Sequence, residues 1–152
     1  MAQTRPHLAW AEPAQAVLGD AGYRRGGARH AVIELLADNA CALTAQDIED
    51  RLRGTDRAVG RASVYRALEL LVEHGLAQRL DLGQGVARYE VVDPHGDHHH
   101  HLLCERCGRL VPFDDGDLER SIERLAARHG FRVADHEVIL HGACDRCETS
   151  PA

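Results

Sequence analysis

Two Cys-x-x-Cys pairs constrain this chain more than any other feature: Cys104 with Cys107, and Cys144 with Cys147, with 36 residues between the pairs. Two thiolates two residues apart chelate one ion from a tight turn. Two such turns complete a tetrahedral S4 site, whose usual occupant is Zn(II). Two disulfides are the competing arrangement. The N-terminus MAQTRPHLAWAEPAQAVLGDAG lacks the basic and then apolar regions of a secretory signal. A cytoplasmic location is therefore expected, with thiolates rather than disulfides. A thioredoxin-like redox motif would need only one of the pairs, beside a βαβ unit. Cys41, the fifth cysteine, reads more readily as an inert small hydrophobe than as a ligand.

Just upstream lies DHHHHLLCERCG, residues 97–108. On an extended strand, side chains alternate faces. His98 and His100 then point one way, and His99 and His101 the other. One strand would supply ligand pairs to two different metal sites, each completed by carboxylates or further imidazoles. Glu90, Glu119 and His136 are the candidates. The bland alternative is a solvated histidine-rich loop.

The 152 residues fit one domain or two small ones. Only six are Phe, Trp or Tyr, and small domains with few aromatics often gain stability from a metal or from dimerisation. No run of apolar residues is long enough to span a membrane. The net charge of −6 does not by itself suggest nucleic-acid binding. Its distribution matters more. Residues 1–90 hold 11 Arg and 12 acids, whereas residues 91–152 hold 7 Arg and 12 acids. Between Arg57 and Leu68 there are three Arg and no acid. A local basic face binds phosphate whatever the net charge.

Residues 1–20 are an Ala/Pro-rich leader, expected to fray at its start. ARHAVIELLADN places Ala31, Val32, Leu35 and Leu36 on one helical face. LTAQDIEDRLRG opens with Thr44 and Asp47 in capping-box spacing, buries Ile48 and Leu52, and stops at Gly54. GRASVYRALELLVEHG aligns Val64, Leu68 and Leu71 and ends at Gly75. A hairpin around Gly83-Gln84-Gly85 follows. Three helices and a hairpin are the layout of a winged helix-turn-helix, expected over residues 1–92. DPHGD is a linker by composition. Residues 93–152 then read as a second domain: a β-knuckle-β, an amphipathic helix with Leu118, Ile122 and Leu125 inward, and a strand through FRVADHEVILHGAC closing at CDRC. The expected fold class is α+β.

A helix entering the major groove needs polar or aromatic side chains outward at its N-terminal end. Arg61, Ser63, Tyr65 and Arg66 meet that need, although an ordinary solvated face has the same composition. Arg donates two hydrogen bonds to guanine, and a Tyr ring contacts thymine methyl groups. Arg24, Arg25 and Arg29 stand where they can reach phosphates.

Taken together, SVYRALELLVEHGLA, HHHHLLCERCG, AARHGF and CDRC resemble the ferric uptake regulator (Fur) family of metal-sensing repressors, over roughly Ala21 to Cys147. The resemblance implies a homodimer with a winged helix and an α/β dimerisation domain, repressing transcription at a double-stranded DNA operator when loaded with metal. By that resemblance Cys104, Cys107, Cys144 and Cys147 hold structural zinc. His98, His100, Glu119 and His136 form a second site. Glu90, His99 and His101 belong to a sensing site for Fe(II) or Zn(II) between the domains. Tyr65 and Arg66 match a base-contacting pair, and Arg24 a minor-groove residue. The chain departs from the family in places. Ala42 stands where a ligand His is frequent, Pro112 where an acid is common after the knuckle, and Val91 and Val92 where zinc sensors carry a Cys. The fourth sensing ligand is left among Cys41, Asp81 and His95. The alternatives are a peroxide sensor of the same family, which oxidises a ligand His through bound iron, and, more remotely, a zinc-storage protein or metal-dependent hydrolase. A hydrolase would need an open coordination position and a general base, and no HExxH is present. The expectation is therefore a regulator and not an enzyme.

Overall fold

In a computed structural model, the described residues are 9–39, 41–83, 85–93 and 99–148. The chain divides into two compact units, Met1–Asp97 and His98–Ala152.

In the first unit the order is α1 (Ala11–Asp20), α2 (Gly27–Ala37), β1 (Leu43–Thr44), α3 (Ala45–Arg53), α4 (Arg61–Glu73), β2 (Ala77–Asp81) and β3 (Ala87–Val91). The described part of the expected leader, residues 9–20, is largely helical. α1 contains Pro13 at its third position, in the first turn, where the missing N–H costs nothing. Trp10, Ala14 and Leu18, four apart, bury one face of α1 against the core. On α2 the buried set is Ala31, Val32, Ile33, Leu36 and Ala37, whereas Leu35 is only half-buried at the margin. Both flanks of the apolar stripe are covered because α1 packs on it as well as α4.

α3 begins where its sequence says it should. The Thr44 side chain accepts from the Asp47 N–H, and the Asp47 carboxylate accepts from the Thr44 N–H at 3.0 Å, a reciprocal capping box. Ile48, Val64, Leu68 and Leu71 are fully buried where α3 crosses α4. Each such side chain contributes roughly 1.5–3 kcal/mol. α4 ends at His74 and Gly75, and Gly75 has φ +66°, a left-handed turn that a side chain would strain. β2 and β3 form the antiparallel wing, and β1 adds a third strand on the far side of β3, pairing Leu43 with Tyr89. Two residues give too little periodicity for β1 to be visible in the sequence.

The second unit comprises β4 (His100–Cys104), β5 (Leu110–Phe113), α5 (Gly116–Arg128), β6 (Ile139–Gly142) and α6 (Asp145–Glu148). β4 is central, antiparallel to β5 and parallel to β6. The strand expected through FRVADHEVILHGAC is confined to its last part, and residues 131–138 carry no regular structure. α5 corrects a second expectation. Leu118 and Ile122 are only half-buried, Leu125 is 50% exposed, and none of the helix's residues is buried. Among the described residues its apolar stripe is only partly covered, and Leu125 is left outside. No helix of the described residues is long and apolar enough to cross a membrane.

Candidate functional site

The first knuckle is the turn between β4 and β5. Gly108, at φ +72°, donates its N–H to the Cys104 carbonyl at 2.8 Å and folds the chain back. The second is the start of α6, where Cys147 N–H donates to the Cys144 carbonyl at 2.8 Å. β6 brings the two together, because its register sets Cys104 beside Gly142. The side chains finish the joint: Arg106 donates to the Cys147 carbonyl at 2.7 Å, and Arg109 lies 3.3 Å from Asp145. The four sulphurs of Cys104, Cys107, Cys144 and Cys147 lie within 4.8 Å of one another, and Cys107 and Cys144 are 3.8 Å apart. Zn–S bonds of about 2.3 Å at tetrahedral angles require S···S separations of about 3.8 Å. These residues therefore fit a zinc ion. None of the five cysteines is in a disulfide. Backbone N–H groups, first that of Cys144 at 3.3 Å from the sulphur and then that of Cys107, draw the Cys104 thiol down to about 6, towards the thiolate that a metal needs. The same cluster pushes Cys147 up to about 12, because its thiol proton is held by hydrogen bonds to the Cys107 and then the Cys144 sulphur.

A second cluster lies in the same unit. His100 is 1% exposed, and its ring packs on Phe113, with centroids 5.5 Å apart. Asp115 caps α5 by accepting from Asp117 and Leu118 N–H groups, which places Glu119 one turn into the helix. The Glu119 carboxylate sits between two imidazoles, Oε1 being 2.6 Å from His100 Nε2 and Oε2 2.9 Å from His136 Nε2. The ligand atoms of all three lie within 4.8 Å of one another. Two imidazoles and a carboxylate suit Zn, Fe or Mn. Phe113, which walls this site, was not singled out from the sequence; its place opposite His100 in the β4–β5 register is what brings it there.

Of the remaining histidines, His99 and His101 share one side of the strand line, with ring centroids 4.8 Å apart, and His101 is 1% exposed. His98 and His95 lie outside the described residues. In the first unit, Glu90 is 4% exposed on β3 and accepts a hydrogen bond from Gln78 Nε2 at 2.5 Å. Cys41 is half-buried nearby. Burial first, then the Glu90 carboxylate, push its thiol up to about 11, against a backbone hydrogen bond at Ala42 and the Arg88 charge. Asp81 is exposed at the end of β2 and accepts from the Gly83 N–H, a turn-forming role.

On α4 the expected outward residues divide. Tyr65 is 43% exposed, and Arg66 is exposed and donates to Ser63 Oγ at 3.1 Å. Arg61 is already engaged: Nε donates to Glu49 Oε2 at 2.9 Å, and Nη2 donates to Gln46 Oε1. Arg24 is exposed ahead of α2, with its carbonyl accepting from Arg29 at 2.8 Å.

A winged helix, joined in one chain to a small unit built on a four-cysteine knuckle, defines a metal-dependent DNA-binding regulator. The Ferric uptake regulator family matches residues 20–141. The chain is 31% identical over 134 residues to the ferric uptake regulation protein of Neisseria meningitidis, covering 88% of this chain and 92% of that one. It is 34% identical over 131 residues to the peroxide operon regulator of Bacillus subtilis, covering 86% and 88%. Its fold superimposes on the ferric uptake regulator of Helicobacter pylori, described as having three functional metal binding sites, with a TM-score of 0.83, 22% identity and full coverage of both chains. The chain belongs to the ferric uptake regulator family, whose members regulate transcription in metal homeostasis.

Proposed function

We propose that this chain is a homodimeric, cytoplasmic repressor of metal-uptake genes, which binds a double-stranded operator when a regulatory metal is loaded. The observation that carries the reading is the four-sulphur cluster at zinc spacing within the same small unit as the His100–Glu119–His136 cluster. Zinc at Cys104, Cys107, Cys144 and Cys147 would tie the two knuckles and supply folding energy. The second metal would be held by His100, Glu119 and His136, with His98 as a fourth ligand. Glu90, His99 and His101 would hold the sensed Fe(II) or Zn(II). The support for that assignment is chemical: a buried carboxylate in one unit and two adjoining imidazoles in the other. A metal drawing ligands from both would restrict the hinge and favour the arrangement in which two recognition helices meet successive half-sites.

DNA contact falls to α4 through Arg61, Ser63, Tyr65 and Arg66, with Arg24 reaching the minor groove. Dimerisation is supported by apolar surface on the second unit. Leu102 and Leu140 are neighbours in register, 42% and 50% exposed, and Leu125 and Phe131 are 50% and 74% exposed. Apolar surface of this kind marks an interaction site.

The test is DNA retention with and without metal. Glu90→Ala and His99→Ala should abolish metal-dependent binding while leaving the fold intact, and retention that stays metal-dependent in both would refute the assignment. The likeness to a peroxide operon regulator supports a second reading, in which bound iron oxidises His99 or His101. A mass gain of one oxygen on either histidine after peroxide treatment of the iron-loaded protein would distinguish it.

A further inference from the structure

We infer that Glu49 and Gln46 of α3 are positioning residues for DNA readout: they clamp one edge of the Arg61 guanidinium and leave its opposite edge directed at a guanine in the major groove. The inference rests on the reading that α4 is the recognition helix.

The argument starts from where Arg61 stands. It is the first residue of α4, after Gly60, which provides no side-chain cap, and the first turn holds no acid. A cation at a helix N-terminus opposes the macrodipole, so this position has to be compensated locally or used for something. Glu49 compensates it. Its Oε2 accepts from Arg61 Nε at 2.9 Å and its Oε1 accepts from Arg53 at 2.9 Å, and Arg61 draws the Glu49 carboxyl below its usual range. The Glu49 carboxylate is 13% exposed and shared between Arg61 and Arg53, and Arg53 also meets Asp50 at 3.4 Å, so the two guanidinium groups balance the two carboxylates and the cluster carries no net negative charge towards a phosphate backbone.

A guanidinium carries five N–H groups in a rigid fork. The side edge, Nε and one Nη2 proton, is taken by Glu49 and Gln46. The end edge, one Nη1 proton and the second Nη2 proton, is the pair that matches guanine O6 and N7. Arg61 remains 60% exposed, and Tyr65 follows it one turn along the same face, 43% exposed. An exposed ion pair adds little stability. A guanidinium already fixed in one rotamer, however, loses less freedom on meeting a base.

The experiment is selection of DNA from a random-sequence pool by the full-length, metal-loaded protein, repeated with R61A, E49Q and the double variant. R61A and E49Q should each lose at least ~10-fold of the preference for the same G·C pair, leaving the rest of the motif in place. The double variant should be no worse than R61A, and the melting temperature of E49Q should match wild type. A motif unchanged in E49Q or in R61A overturns the inference. So does a uniform loss of affinity with a salt slope lower by about one, the mark of a phosphate contact. Wild-type protein that enriches no motif overturns the reading of α4 and the inference with it.

Discussion

Glu119 Oε1 lies 2.6 Å from Nε2 of His100, a ring only 1% exposed, so a carboxylate of α5 meets a fully buried imidazole of the central strand. The same carboxylate reaches His136. Glu119→Gln keeps the shape and removes the charge. Metal analysis of the purified variant should show one equivalent fewer per chain at limiting metal, with affinity at that site weaker by more than ~10-fold, while the zinc held by the four cysteines remains. Unchanged stoichiometry and affinity would remove Glu119 from the ligand set.

The four-cysteine knuckle makes a separable prediction, because among the described residues no helix residue of the second unit is buried and its sheet has three short strands. Such a unit depends on its metal. Stripping zinc with a strong chelator should abolish hydrogen-exchange protection in β4–β6, while α2 and α4 stay protected. Cys104→Ser should do the same without chelator. Equal protection before and after chelation would contradict a structural role.

For the first unit, the Thr44 capping box sets the cost of one substitution. Thr44→Ala should destabilise by about 1 kcal/mol, seen as a fall in melting temperature of roughly 4–8 °C for a unit of this size. Metal content should not change.

Much of this was legible in the residues, and the parts that were not share a cause. Thr44 and Asp47, Val64 with Leu68 and Leu71, and the CxxC pairs act within a turn or two of chain, so their spacing carries the information. Strand alternation likewise separates His100 from His99 and His101. The Ala/Pro-rich composition of α1 reads as a leader; its helix is held by Trp10, Ala14 and Leu18 against a core assembled from distant segments. Periodicity places Leu125 on an inward stripe, but periodicity reports an apolar stripe and not what covers it, and Leu125 is 50% exposed. Arg61 carries the composition of a DNA contact, and only the fold reveals Glu49 and Gln46 beside it.

The Cys41 thiol, raised to about 11 by burial and by Glu90, should react with iodoacetamide at neutral pH about 100-fold more slowly than an unperturbed thiol. A group whose folded pKa is raised holds its proton more tightly in the folded chain. Its stabilising contribution is therefore full below pH 9 and is lost as pH rises through about 11. Alkylation of native protein across pH 7–11, read by mass spectrometry at Cys41, checks both the rate and the midpoint.

The exposed apolar stripe predicts that Leu125→Asp and Phe131→Asp shift the protein from dimer to monomer in sedimentation equilibrium, because a charge placed in an apolar interface must be desolvated without a partner. Dimers that persist in both variants would place the contact elsewhere.

The central claim, that metal occupancy controls DNA binding, is tested most directly by fluorescence anisotropy of the selected DNA with chelated protein, titrated with buffered Zn(II) and, anaerobically, Fe(II). At least one metal should raise affinity by roughly 5–150-fold, the range of ordinary allosteric coupling, and the gain should vanish in Glu90→Ala. Equal affinity with and without either metal would contradict it.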